Sequence, residues 1–259
     1  MPKGGIDLYY NKLLNLGSEL GQALMTSGAE IYRVEESVSR LLTAYGLEPQ
    51  VFCLPSCLIV SISSPDGRPL TRMCRIGSHG FDVTLLERCN DLCRRLCVQV
   101  PDVDRALELV RALMPESPTY PSWFTLFAYA FTSAFFSLFF GGVARDFLCA
   151  FICGIAVGFL LINGTPFVGN NTFLHIFVCS VVVSAMSLML VRIGLGVNMD
   201  KITIGTLMVL VPGMALTNAM REIMAGDIFS GLHRTAEVLL IATAIALGTA
   251  VPLVLFRGL

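Results

Sequence analysis

Apolar positions recur with two different periods along the first hundred or so residues. Over 6–26, Tyr9, Leu13, Leu16, Leu20 and Leu24 fall on one helical face. Ser27-Gly28-Ala29-Glu30 then fits a capping box, with Ser27 accepting from the Glu30 amide and the Glu30 side chain reaching back. The helix that follows runs to about Tyr45 and stops at Gly46, where a left-handed residue is wanted. Ile31, Val34, Val38, Leu41 and Tyr45 form its apolar face. Arg33, Glu35, Glu36 and Arg40 form the other, with Glu36 and Arg40 at i,i+4, and the residue types alone read as a solvated face with local ion pairs. Alternation predicts three short strands, about 50–54, 58–64 and 69–76, with Ser64-Pro65-Asp66-Gly67 as the turn between the last two. Helical periodicity returns over 82–98 and 102–114. Asp102 is placed to cap the second of these, and Pro115 and Pro118 close the region. The order ααβββαα predicts a soluble α+β domain over 1–118.

Beyond residue 119 the pattern changes to long apolar runs, predicting a transmembrane domain over 119–259 with about five transmembrane helices. The spans fall at about 124–143, 147–162, 173–191, 202–217 and 236–256. Tyr120 and Trp123 sit where interfacial anchors belong. Gly154 and Gly158 form a small-xxx-small pair suited to close helix packing, and Ser180, Ser184 and Ser187 recur at roughly helical spacing. The fourth span contains Pro212-Gly213, a pair that breaks or kinks helices. In lipid such a break survives only where protein or a water-filled cavity satisfies the freed backbone groups. Short or Gly/Pro-interrupted spans are the usual pointer to a transporter binding site.

Composition supports this division. Mean hydropathy is +0.71, and only 14% of residues are charged. Twelve of the eighteen Lys and Arg residues precede residue 115. A net charge of −1 gives no argument for a nucleic-acid partner. The start, MPKGGIDLYYNKLLNLGSEL, has charge and polarity where a secretory signal needs an apolar core. Six of the nine cysteines lie in the first domain, so free thiols in a reducing compartment are expected, with the N-terminal domain in the cytoplasm. Cys89, Cys93 and Cys97 recur every four residues with no accompanying histidine or CxxC pair, and read as small core residues rather than metal ligands. The positive-inside count pulls the other way, since five spans from a cytoplasmic N-terminus place Arg145, Arg192, Lys201 and Arg257 outside.

No P-loop, HExxH, GxSxG or glycine-rich dinucleotide turn is present, and Gly77-Ser78-His79-Gly80 is a poor nucleophile–base pair because adjacent loop residues rarely face each other. The sequence therefore gives no sign of an enzyme, a cofactor or a metal.

Three stretches carry a resemblance: SGAEIYRVEESVSRLLTAYG at 27–46, FFGGVARD at 139–146, and VPGMALTNAMREIMAGDIFSGLHRTAEVLLIATAIALG at 211–248. On these the chain resembles the threonine/serine exporter (ThrE) family, in particular its split-subunit YjjP-like branch. The resemblance implies a cytoplasmic amino-terminal domain, about five spans in the cytoplasmic (inner) membrane, and a small second membrane subunit completing the transporter. It also implies export of small carboxylate-bearing metabolites, either threonine and serine or succinate-like dicarboxylates.

An arginine recognises a carboxylate best, because its planar fork donates two parallel hydrogen bonds. Arg221 and Arg145 are the candidates. Thr217 and Asn218 share a helical face with Arg221, and the break at Pro212-Gly213 presents backbone groups nearby. With no nucleotide site visible, a proton or ion gradient is the default driving force. Its candidate carriers are Asp146, Glu222, Asp227 and Glu237, with His175 a weaker one. The competing reading pairs Asp146 with Arg145, Glu222 with Arg221, and Glu237 with Arg234. In the soluble motif, Glu30, Arg33 and Glu35 stand out. Two other functions remain beside the exporter: a regulatory or sensor membrane subunit, and a membrane-anchored hydrolase.

Overall fold

The computed structural model describes residues 3–77, 80–113, 120–164 and 171–256, with side chains from residue 8 onward. Ser78-His79 lies outside the described residues, as do Pro115, Pro118 and Arg257. The chain divides into two compact units, Met1–Pro118 with Thr217–His233, and Thr119–Leu216 with Arg234–Leu259.

The first unit opens with α1 (Lys3–Thr26) and α2 (Ile31–Ala44), followed by β1 (Gln50–Leu54), β2 (Cys57–Ser63) and β3 (Pro69–Arg75), then α3 (Val83–Gln99) and α4 (Val103–Leu113). The strands form one antiparallel sheet in the order β1-β2-β3. Leu54 faces Cys57 across the first turn, and Ser63 faces Pro69 across the second. The second turn closes through the Gly67 amide on the Ser64 carbonyl at 2.8 Å, with Gly67 at φ 73°. The central strand alternates strictly, so Leu58, Val60 and Ile62 point into the core. There they meet Leu13, Leu16, Leu20 and Leu24 of α1 and Ile31, Val34, Val38 and Leu41 of α2. Cys53, Cys89 and Cys93 are buried in the same core, and all nine cysteines are free thiols.

The caps differ in one place from the sequence reading. Asp102 Oδ2 accepts from the Asp104 amide at 3.2 Å, and Gly46 takes φ 79°, both as expected. The Ser27–Glu30 capping box does not form. The Ser27 hydroxyl instead donates back to the Leu24 carbonyl at 2.8 Å, and α2 starts only at Ile31.

The second unit contains α5 (Ser122–Phe139), α6 (Ala144–Asn163), α7 (Thr172–Arg192) and α8 (Met199–Leu207); α9 (Gly213–Met224) and α10 (Ile228–Leu255) follow in the chain. Four helices among the described residues, α5, α6, α7 and α10, are long and apolar enough to cross a membrane. The protein is thus a helical multi-pass membrane protein with an N-terminal helix and three-strand region. The expected span at 202–217 is not one helix. It divides into α8 and α9, with non-helical backbone between Leu207 and Gly213. Pro212 stands at the start of α9, where its missing N–H leaves no bond unmade, and its carbonyl accepts from the Leu216 amide at 3.1 Å.

Glycines set the helix spacing. Gly154 and Gly158 of α6 both face α5, and a Cβ on Gly154 would sit 2.8 Å from the Ala130 Cα. Gly205 of α8 lies closer still, its would-be Cβ 2.5 Å from the Ser137 amide nitrogen. The Gly154–Gly158 pair is therefore a packing interface, not incidental membrane glycine.

Candidate functional site

Two stretches far apart in sequence meet in the first unit. Glu30 occupies the N-cap position of α2, in extended conformation, yet its side chain caps nothing. Its residue surface is only 5% exposed. Glu30 Oε1 accepts from Arg221 Nη1 at 3.1 Å across 191 residues of sequence. Its other oxygen lies 3.7 Å from Arg33 Nη1. A second carboxylate closes on the same helix end: Glu222 is fully buried, and its Oε1 accepts from the Ile31 amide at 3.4 Å. That amide is one of the N–H groups an α-helix leaves unpaired at its start, and the helix dipole favours negative charge there. The buried carboxylates are thus held by opposite charge and backbone donors, as buried charge requires.

This arrangement replaces the expected local pairing. Arg221 bonds Glu30 rather than its neighbour Glu222. The expected shared face of Thr217, Asn218 and Arg221 is also divided. Asn218, Ala219 and Glu222 form the buried face of α9, while Thr217 and Arg221, at i,i+4, lie on the exposed one. Nor is the face of α2 that carries Arg33, Glu35, Glu36 and Arg40 uniformly solvated. The Glu36–Arg40 pair is exposed at 2.6 Å, but Glu35 is half-buried and its Oε1 accepts from the Cys53 amide at 2.7 Å, tying α2 to the edge strand β1. Burial raises the Glu35 carboxyl above its ordinary pKa; the Cys53 hydrogen bond works against this and the Asp227 charge adds to it. Asp227 itself caps α10, accepting from the Ser230 amide at 3.1 Å, and its own amide closes the end of α9 on the Glu222 carbonyl at 3.0 Å.

In the second unit, Asp146 is fully buried and collects four N–H donors. Oδ1 accepts from the Val197 and Asn198 amides at 2.8 and 3.0 Å. Oδ2 accepts from Asn198 Nδ2 at 2.9 Å and from the Val143 amide at 3.1 Å. These fill the acceptor positions of a carboxylate. Asp146 thereby pins the α5–α6 turn to the loop before α8, while Arg145 beside it is exposed. His175 Nε2 lies 2.8 Å from the Leu160 carbonyl, joining α7 to the end of α6. Glu237 is exposed on α10, one helical turn from half-buried Arg234. Pro212 and Gly213 stand at the helix interruption, and a Cβ on Gly213 would meet nothing within 4 Å.

Several hydroxyls of this unit are buried: Ser133 and Ser137 of α5, Ser180, Ser184 and Ser187 of α7, and Thr206 of α8; Ser133, Ser180 and Thr206 donate to carbonyls one turn back in their own helices. Ser184 Oγ donates to the Thr249 carbonyl of α10 at 3.0 Å. Ser137 Oγ and Thr203 Oγ1 have no hydrogen-bond partner among the described residues.

These features define a multi-pass membrane protein whose N-terminal α+β unit also incorporates the segment after an interrupted helix. The chain belongs to the threonine/serine exporter family: the profile described as "Putative threonine/serine exporter" (ThrE) matches residues 15–256. It is 25% identical over 247 residues to Pheromone-regulated membrane protein 10 of Pichia sorbitophila, covering 91% of this chain and 24% of that protein. It is 23% identical over 239 residues to the protein of the same name from Saccharomyces cerevisiae, covering 91% and 31%. A Schizosaccharomyces pombe protein, Uncharacterized protein C7D4.12c, is 26% identical over 143 residues, covering 55% and 19%. The chain thus spans about a quarter to a third of the length of the first two relatives. No solved structure matches it.

The Glu30–Arg221 pair is the feature that the sequence did not disclose. Both residues stand out in their own motifs, but nothing in periodicity or spacing links positions 191 apart. The available signal was an acidic residue directly before an apolar helix face, too close to the core to be solvated.

Proposed function

We propose that the protein is a subunit of a secondary exporter. It moves small carboxylate-bearing metabolites, threonine- or serine-like amino acids or succinate-like dicarboxylates, out across the cytoplasmic membrane. The observation that carries this reading is the interrupted helix at 208–212, in the membrane half of a chain of this family. Non-helical backbone at membrane depth is stable only against protein or a water-filled path, and such interruptions are where transporters bind solute. Buried hydroxyls of the same unit, together with Ser137 Oγ and Thr203 Oγ1, which have no hydrogen-bond partner among the described residues, support polar groups being available there to a solute.

The chain's side-to-side count supports a crossing at the interruption. Residues 1–118 and 217–233 share one compact unit, and this reading keeps them on one side of the membrane. On this reading α5, α6 and α7, each long and apolar enough to cross, carry the chain to the opposite side. The same reading has the segment from α8 to α9 cross back, as a broken span. Free thiols in the α+β unit support a cytoplasmic location for it.

In this mechanism Arg221 is the carboxylate reader, with Thr217 beside it on the exposed face of α9. Glu30 is the internal anion that holds Arg221 between transport events, and substrate carboxylate competes with it. A proton or ion gradient drives export, with Glu222 and Glu237 the favoured carriers, since Asp146 and Asp227 serve as a latch and a helix cap. Further spans from a second membrane subunit complete the path. The test is counterflow in proteoliposomes holding the chain with its co-purifying membrane partners, loaded in turn with labelled threonine, serine and succinate. Gradient-dependent release of one solute supports the reading, and release equal to that from empty vesicles for all three contradicts it.

A further inference from the structure

The α+β unit carries a groove outside the residues assigned to the solute path. It lies between α2 and α3 and encloses about 800 Å3. Its form follows from residue spacing. On α2, Arg33, Ser37, Arg40 and Ala44 recur at i, i+4, i+7 and i+11; on α3, Asn90, Arg94 and Cys97 recur at i, i+4 and i+7. The residues along the helix contact are small, and the Cys93 thiol reaches the Ser37 carbonyl at 3.6 Å. Small residues at the floor leave a trough, and the long arginines rim it.

The charge of this trough is out of balance. Arg33, Arg40 and Arg94 line it against one acid, Glu36, in a protein whose net charge is −1. Glu36 is taken by Arg40 at 2.6 Å. Arg33 reaches only to 3.7 Å from Glu30, a carboxylate that it shares with Arg221. Arg94 makes no ion pair among the described residues, whereas its neighbour Arg95 is paired with Asp91 at 3.0 Å. The field extends to the floor: burial and the neighbouring Cys97 push the Cys93 thiol up to about 12, with Arg40 and Arg94 pulling the other way.

We propose that this groove binds a small soluble polyanion, a metabolite with two or more phosphate or carboxylate groups, as a regulatory ligand distinct from the transported solute. Its size falls in the range that encloses small molecules, and guanidinium forks match phosphate and carboxylate oxygens in pairs. Arg33 borders both the groove and Glu30, so an anion that draws Arg33 away leaves Glu30 to Arg221 alone. The binding site itself does not rest on the exporter reading, whereas its regulatory role does.

The experiment is calorimetric titration of the full chain, in phosphatidylcholine nanodiscs, with pyrophosphate and with citrate. Saturable one-to-one binding of at least one probe is expected. Arg94→Gln weakens it about tenfold or more, the effect of one charge-assisted contact, while Arg95→Gln, outside the groove, changes Kd less than about twofold. Arg94 is exposed, so its replacement leaves folding intact, checked by the thermal unfolding midpoint. Absence of binding for both probes overturns the proposal, as does binding that the two substitutions weaken equally or that Arg94→Gln leaves unchanged. Repeating the titration in discs containing phosphatidylglycerol separates the sources of anion. Retained binding supports a soluble ligand, and competitive loss assigns the groove to a lipid headgroup and overturns the assignment made here.

Discussion

Asp146 and Arg221, charged residues of two separate motifs, are held in different ways. Asp146 has four N–H donors on two oxygens, all from the turns that flank α6 and α8. Asp146→Asn replaces one acceptor oxygen by an NH2 group facing donors. The expected result is a loss of about 2–4 kcal/mol in stability, from buried charged hydrogen bonds broken, read as a lower unfolding midpoint and lower yield. A proton carrier would behave differently: the Asn variant would fold normally and lose only gradient-driven flux. Arg221 is bonded to Glu30 at 3.1 Å but keeps 58% of its side-chain surface exposed, so it can meet solute. Arg221→Lys is expected to preserve expression and reduce flux about tenfold, because a point charge replaces a planar fork. Flux equal to that of the parent protein would remove Arg221 from the pathway. The sequence marked both residues but not their partners, because adjacency suggests Arg145 and Glu222, whereas burial and long-range folding supply Asn198 and Glu30.

At the scale of elements, most of the architecture follows from local rules. Period-two alternation places the strands within a residue or so of where they occur, and the apolar faces of α1 and α2 become the core except for Tyr9, which is exposed. The exceptions have physical causes. Ser27 bonds back to α1, so α2 starts where Glu30 is free to face Arg221. The run 202–217 is mostly apolar, and hydropathy cannot register that Pro212 begins a new helix rather than bending an old one. Two glycines near this break separate packing from hinge function. Gly205→Ala drives a methyl to 2.5 Å from the Ser137 nitrogen, and is expected to destabilise the α5–α8 contact by about 1–3 kcal/mol. Gly213→Ala meets open space, and is expected to stabilise α9 by about 0.5–1 kcal/mol. If the interruption moves during transport, the Gly213 variant will be more stable and slower. Equal stability losses for the two variants in thermal unfolding would refute the packing distinction.

For the whole molecule, the claim with the widest reach is that α8 and α9 together cross the membrane. It is proposed from the shared unit of residues 1–118 and 217–233 and from the three helices between them that are long and apolar enough to span. In a cysteine-free background, single cysteines at Asp66 in the β2–β3 turn and at Ala225 after α9 should react with an impermeant maleimide from the same side. Labelling from opposite sides would contradict the crossing and leave α8 and α9 as surface helices.

The central claim is export of a carboxylate-bearing metabolite. Its most direct measurement is efflux of threonine, serine and succinate from cells that naturally produce the protein, compared with cells lacking it. The account predicts that deletion abolishes efflux of one of these solutes, that the intact chain restores it, and that Arg221→Lys at equal membrane abundance does not. Efflux of all three solutes unchanged by deletion would contradict it.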